Sequence, residues 1–264
     1  MNIKGIQVIL LNTTLESFSS TNGKASGQPN KVLIFRLHGI FAHFNQPISN
    51  RFRNTYSIIP KPQLLGIIGS LIGLSGYKNS DTCPEFYSKL HDLKVFIKPN
   101  GSANKKFVVT YNSLNSFLNN RVDTGSPNVM INEQILQDPD YEIGLLLNDN
   151  DSLHSLIIEN ITQNKSVFPI YLGKNEFFAS IEYISLNDYE VNSEKEVSCS
   201  SIFPFDELSK ETTRNLKLEL LPIDFDDMFK YVYCLMAIPQ NETKIELKNP
   251  DNCIVSEGSA YYVF

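Results

Sequence analysis

The sequence predicts an α+β protein: a ferredoxin-like (RRM-like) βαββαβ unit, with a long inserted β-hairpin and a small, mostly-β C-terminal subdomain. Three observations lead there. A proline-free run at 32–44, rich in β-branched and aromatic residues, opens the unit as a strand. Strand-like and helix-like patterns then follow one another as strand, helix, strands, helix, strand up to residue 186. Beyond residue 191 helical periodicity stops and short, Pro-punctuated apolar runs take over.

Taken in order, residues 1–11 suit a short strand, and 17–30 (SFSSTNGKASGQPN) a polar linker or loop. In the strand at 32–44, alternation places Leu33, Phe35 and Leu37 on one face and Val32, Ile34, Arg36 and His38 on the other. Gly39 signals a bulge or a close backbone approach. A basic loop, 45–56, precedes Pro60-Lys61-Pro62, where Pro62 suits a first helical turn. Leu64, Leu65, Ile67, Ile68, Leu71 and Ile72 then form an apolar helix. Its Gly66, Gly69 and Gly73 share one arc, predicting close backbone packing against a sheet, and Gly76 is the expected stop. A short helix at 83–91 precedes strands at 93–98 and 107–112. The excursion at 112–135 carries Gly125 and Pro127 at its tip and reads either as a projecting hairpin or as a surface loop. A strand at 141–147 follows, then a helix at 151–161 with Leu153, Leu156, Ile157 and Ile161 on one face, then a strand at 177–186. Such a sheet leaves one face free for single-stranded RNA, as in RRM-type modules. Further strands are expected at 243–247 and 260–264 around an Asn249-Pro250-Asp251 turn, after an apolar run at 228–238. The resulting division is 1–30 (strand and linker), 31–190 (the ferredoxin-like domain) and 191–264 (the acidic β-rich subdomain).

The net charge of −6 hides a strong asymmetry. Residues 1–122 hold fourteen Lys/Arg against four acids, while 176–264 hold seven against seventeen. No acid occurs from Ser17 to Ser80. One polyanion-facing surface would produce this, and so would a dipolar protein with no such partner. Cys83, Cys199, Cys234 and Cys253 fit no metal-ligand spacing, so reduced thiols, no metal and no cofactor are expected. No apolar run reaches the roughly twenty residues of a membrane span, and no signal-peptide pattern opens the chain; a cytoplasmic address is expected.

The segment Arg51-Phe52-Arg53-Asn54-Thr55-Tyr56 offers fork donors, a hydroxyl and a stacking ring ahead of a helix N-terminus. Its other reading is a solvated loop whose arginines pair with the acidic half. His38 and His43 have no Ser, Cys or carboxylate at a catalytic spacing. Leu172-Gly173-Lys174 lacks the rest of a phosphate-loop pattern, and Gly66-x-x-Gly69 is not a dinucleotide-binding turn.

Three segments carry a resemblance. They are FAHF through R-x-R-x-T-Y and P-x-P to L-L-G-x-x-G-x-x-x-G (41–73), I-L-x-x-P-x-Y (135–141), and FPIYLGKNEFFA (168–179). In this order they resemble a RAMP-superfamily CRISPR family: the subunit of type I Cascade that caps the 5′ handle of the guide RNA (Cas family five, most like subtype I-B). The resemblance implies a non-catalytic, RNA-binding structural subunit acting in antiviral defence. Its implied partners are crRNA, the Cascade backbone and large subunits, and, through the complex, target DNA. The hairpin at 112–135 becomes a thumb lying over the RNA. Under this implication the candidate RNA contacts are Arg36, His43, Asn45, Arg51, Arg53, Asn54, Tyr56, Lys61, Lys105, Lys106, Arg121, Met130 and Lys174. One alternative is a metal-independent endoribonuclease that matures pre-crRNA; against it, Lys106 is followed by Phe107 rather than His, and no Tyr/Lys/His trio matches. A more remote alternative is a β-rich binding module unrelated to RNA.

Overall fold

The computed structural model describes residues 29–49, 52–78, 82–101, 105–114, 128–209, 215–240 and 243–264. The expected strand at 1–11, most of the linker, the hairpin tip, and both Arg51 and Arg121 lie outside the described residues. Six strands build the N-terminal part: β1 (Lys31–Gly39), β2 (Val95–Pro99), β3 (Lys106–Leu114), β4 (Asn128–Gln137), β5 (Asp140–Leu147) and β6 (Ala179–Asn187). The main sheet has the order β2-β5-β1-β6 and every pairing in it is antiparallel. With helices α1 (Lys61–Ile72) and α3 (Ser152–Thr162) as crossovers, this is the ferredoxin-like arrangement. The fold class is the predicted one, α+β and strand-rich.

Period-two alternation sorts the side chains of this sheet. Leu33, Phe35, Leu37, Tyr141, Ile143, Leu145, Val95 and Ile97 are all 0 % exposed and form the main core with α1 and α3. Asp151 caps α3, its carboxylate accepting from the backbone N–H of Leu153 and His154. Ile157, Asn160 and Ile161 form the buried face of that helix, whereas Leu156, expected inside, is exposed.

The opposite face is not free, which corrects the RRM-like expectation. Val32, Ile34, Phe96 and Leu146 are covered by Ile254, Tyr261 and Val263 from the C-terminal part. Phe96 stacks on Tyr261 with ring centroids 4.0 Å apart. A Cβ on Gly144 would lie 1.9 Å from the Phe96 ring, so only glycine lets that ring cross β5. Where the apolar cover ends, charges pair with one another. Arg36 bridges Asp140 (2.8 Å) and Glu182 (3.1 Å), and Lys98 meets Glu142 (3.3 Å).

Three glycine readings are refined. Gly69 of α1 packs on Phe86 of helix α2 (Glu85–Leu90), not on a sheet: a Cβ there would be 2.5 Å from the Phe86 Cβ. The helix stops at Gly73 (φ 81°), ahead of Gly76. Gly39 is a close approach, since a Cβ there would lie 2.9 Å from both Leu172 Cδ1 and the Phe178 carbonyl oxygen. The register shift of β1 falls instead between Ile34 and Phe35.

The excursion is a hairpin in its described part: β3 and β4 pair antiparallel from Lys106↔Leu136 to Leu114↔Asn128. Phe41–Ala42 and Phe52–Arg53 add short strands on the other side of β4. The C-terminal part holds β7 (Glu196–Cys199), β8 (Leu216–Phe225), β9 (Tyr231–Pro239), β10 (Thr243–Glu246), β11 (Cys253–Ser256) and β12 (Ser259–Tyr262). Its Phe203, Leu221, Met236, Leu247 and Tyr262 join the same core as β1 and α1. Among the described residues no helix is long and apolar enough to cross a membrane.

Candidate nucleic-acid interface

The chain leaves β1 through Phe41–Ala42, which pairs with the end of β4, and returns through Phe52–Arg53, which pairs with its middle. Thr55 fastens this loop. Its hydroxyl accepts from the Phe44 N–H (2.8 Å), Tyr56 N–H reaches the Phe44 carbonyl (3.0 Å), and Lys106 Nζ donates to the Thr55 carbonyl (2.7 Å). The Leu172-Gly173-Lys174 segment packs on the same loop, with His43 N–H donating to the Leu172 carbonyl (3.0 Å). Gly173 has φ 86°, and a Cβ on it would sit 2.0 Å from the His43 carbonyl oxygen, so contact this close requires glycine.

The result is an open cleft of about 550 Å³ lined by His43, Asn45, Ile48, Arg53, Glu133 and Lys174, among others. Glu133 forms its floor at 2 % exposure. Lys174 Nζ lies 2.7 Å from one carboxylate oxygen, and His43 Nε2 (3.6 Å) and Arg53 Nη1 (3.7 Å) face the other. His43 Nδ1 is 2.8 Å from the Gln134 carbonyl and donates to it, which fixes the ring. Lys174 also meets Glu176 at 2.8 Å. Burial lowers the Lys174 pKa, but its hydrogen bonds to Glu133 and Glu176 outweigh that and hold it above the ordinary lysine value. The Lys174 ammonium in turn keeps the Glu176 carboxyl below its usual range. Arg53 Nη1 donates to Tyr111 Oη (3.2 Å), tying the loop to the hairpin. Such a cleft can seat an anion against fixed N–H donors. Among the described residues no group of His, Cys, Asp and Glu is placed to hold a metal ion.

A family model described as CRISPR-associated protein (Cas_Cas5) matches residues 32–222, well over half of the chain. The chain belongs to the Cas5 family. No curated protein matches this Cas5-family chain. Among solved structures, a chain of a "CRISPR RNA-guided surveillance complex" is similar at 14 % identity, with 81 % of this chain and 90 % of that one covered and a TM-score of 0.47. A "CRISPR protein from Archaeoglobus fulgidus" is similar at 12 % identity, 88 % and 98 % coverage and a TM-score of 0.48. A chain of a Type III-B Cmr-beta complex bound to cognate target RNA is similar at 14 % identity, 87 % and 98 % coverage and a TM-score of 0.46.

Of the sequence-predicted contacts in this Cas5-family protein, His43, Asn45, Arg53 and Lys174 meet at the cleft, with Asn54 next to Arg53. Lys106 supports the loop from beneath, and burial lowers its pKa. Lys105 is exposed, and Met130 is 62 % exposed on β4. Others lie elsewhere. Tyr56 is 4 % exposed, so its ring offers no stacking face. Lys61 is partly buried, with Nζ donating to the Phe264 carbonyl (3.1 Å), and Arg36 belongs to the outer face of the main sheet. Glu133 was not among the predicted contacts. Its signal was present: it alternates with Ile131 and Ile135, both buried, so an acid occupies an inward position of β4.

Proposed function

We propose that this Cas5-family protein is a non-catalytic RNA-binding subunit of a type I CRISPR surveillance complex, holding the 5′ handle of the guide RNA in the cleft beside the β3–β4 hairpin. The observation that carries this reading is convergence. His43 and Arg53 come from one loop and Lys174 from a segment far downstream, and all three surround one open cleft of about 550 Å³. Phosphate contacts of this kind give an affinity that falls with salt, by roughly 0.7 in log–log slope per contact on a single strand. The test is anisotropy of a short fluorescein-labelled RNA of the neighbouring CRISPR repeat, titrated with the full chain over a KCl series. Arg53→Ala and Lys174→Met are each expected to weaken binding and flatten the slope by about that amount. Unchanged slopes in both variants would overturn the assignment. The same RNA should come through incubation uncut; cutting at one position that is lost in His43→Ala would favour the endoribonuclease reading instead.

A further inference from the structure

A carboxylate on the floor of an RNA cleft opposes a polyanion by simple charge, yet Glu133 is built in with care. β4 holds it between Ile131 and Ile135, and it is 2 % exposed. A carboxylate buried this far persists when cations and hydrogen bonds compensate it, and here Lys174 and Arg53 face it with the His43 ring alongside. Both cations are fixed from further sides as well. Lys174 Nζ lies 5.5 Å from the Phe177 ring centroid and 5.9 Å from that of Tyr111. Arg53 donates to the Tyr111 hydroxyl. An ammonium has three N–H donors and a guanidinium five, so after these contacts both keep donors for an anion in the cleft.

We infer that Glu133 is a positioning residue: its buried carboxylate sets Lys174 and Arg53 at the spacing at which together they take one phosphate of an RNA strand. This rests on the RNA-binding reading above. The two accounts of Glu133 have opposite signs. If it were only a negative charge in a basic cleft, Glu133→Gln would tighten RNA binding and steepen the salt dependence. As a positioning residue, the same change releases both cations, so binding weakens about tenfold, the size of one charge-assisted hydrogen bond, and the slope flattens.

The experiment uses the full chain and the same fluorescein-labelled repeat RNA, comparing wild type, Glu133→Gln, Lys174→Met and the double variant over a KCl series. The expected result is weaker, flatter binding for Glu133→Gln, with the double variant losing less than the sum of the two single losses because the carboxylate acts in part through that lysine and in part through Arg53. Tighter or steeper binding by Glu133→Gln, with Lys174→Met still impaired, would overturn the inference and leave the RNA-binding reading standing. Lys174→Met and Arg53→Ala that bind like wild type would remove both. If Glu133→Gln does not fold, Glu133→Asp replaces it: the charge stays while the carboxylate withdraws by one methylene. Positioning then expects weakened binding, and wild-type binding by that variant would refute it.

Discussion

Two regions of this molecule concentrate charged side chains, and they use them differently. On the outer face of the main sheet, Arg36 is matched to Asp140 and Glu182, and Lys98 to Glu142, while Tyr261 Oη also donates to Glu142 (2.9 Å). Bonds to Asp140 and Glu182 raise the Arg36 pKa. Burial pushes the Asp140 carboxyl up, but its bonds from Arg36 and Asn100 outweigh that and hold it low. Each of these cations has its counter-charge, and the C-terminal strands cover the apolar remainder of the face. In the cleft, Lys174 and Arg53, with the His43 ring beside them, share one buried acid and the space above them is open. The number of basic residues therefore does not mark a site here. What sets the cleft apart is that cations from distant segments converge there on unfilled space.

That comparison can be broken in three places. The largest effect is expected where the outer face is closed by packing. Phe96→Ala removes a fully buried ring stacked on Tyr261 and should cost about 3–5 kcal/mol of stability, read from urea unfolding. RNA binding by the folded fraction should be unchanged; a loss of binding without a loss of stability would mean that the outer face, and not the cleft, meets RNA.

A second test separates an inward-turned lysine from a cleft lysine. Burial, and next the charge of Lys94, lower the Lys61 pKa from 10.5 to about 8. Between those values an unfolded Lys61 holds a proton that the folded one has lost, so this lysine adds stability as pH rises from about 8 to 10.5. At 1.36 kcal/mol per unit the rise amounts to about 3 kcal/mol. Urea unfolding of wild type and Lys61→Met across that range should differ by this rise, with RNA binding intact in the variant. The difference is the readout because burial raises the pKa values of the Cys234 thiol and the Tyr231 phenol, which act in the opposite sense in both proteins. Parallel profiles in the two proteins would place Lys61 in solvent and return it to the candidate contacts.

The smallest expected effect belongs to Arg36→Ala. It loses two partly exposed ion pairs, which are screened by solvent. Affinity for the repeat RNA and its salt slope should both match wild type. A slope flattened as much as that of Arg53→Ala would erase the distinction between the regions.

Much of the architecture was legible because it rests on local rules. Alternation in β1 named both of its faces, and apolar periodicity placed α3. Helix faces were less secure: Leu156 fits the apolar periodicity but points outward, because α3 buries a narrow stripe. The glycines of α1 predicted close packing, but not that Phe86 would be what approaches. The site was half legible. Arg53, His43 and Lys174 stood out as residue types within recognisable segments, whereas Glu133 is identified by its place opposite them. Tyr56 shows the reverse case, a ring with binding chemistry that the fold buries.

The sequence by itself determined the order of strands and helices from Val32 to Leu186, the two faces of β1, the charge asymmetry and the segments that carry the family likeness. Each depends on neighbours a few residues apart, through backbone periodicity, capping and composition. Only the tertiary structure decided which charges face one another. His43 and Glu133 are ninety positions apart in the chain and 3.6 Å apart in space, because β4 returns alongside the exit of β1 and Gly173 lets a third segment pack against both. It likewise decided that the face of the main sheet opposite the helices is covered, since the strands that cover it come from the last part of the chain. Contacts this distant are fixed by which surfaces bury one another, and local sequence patterns do not carry that information.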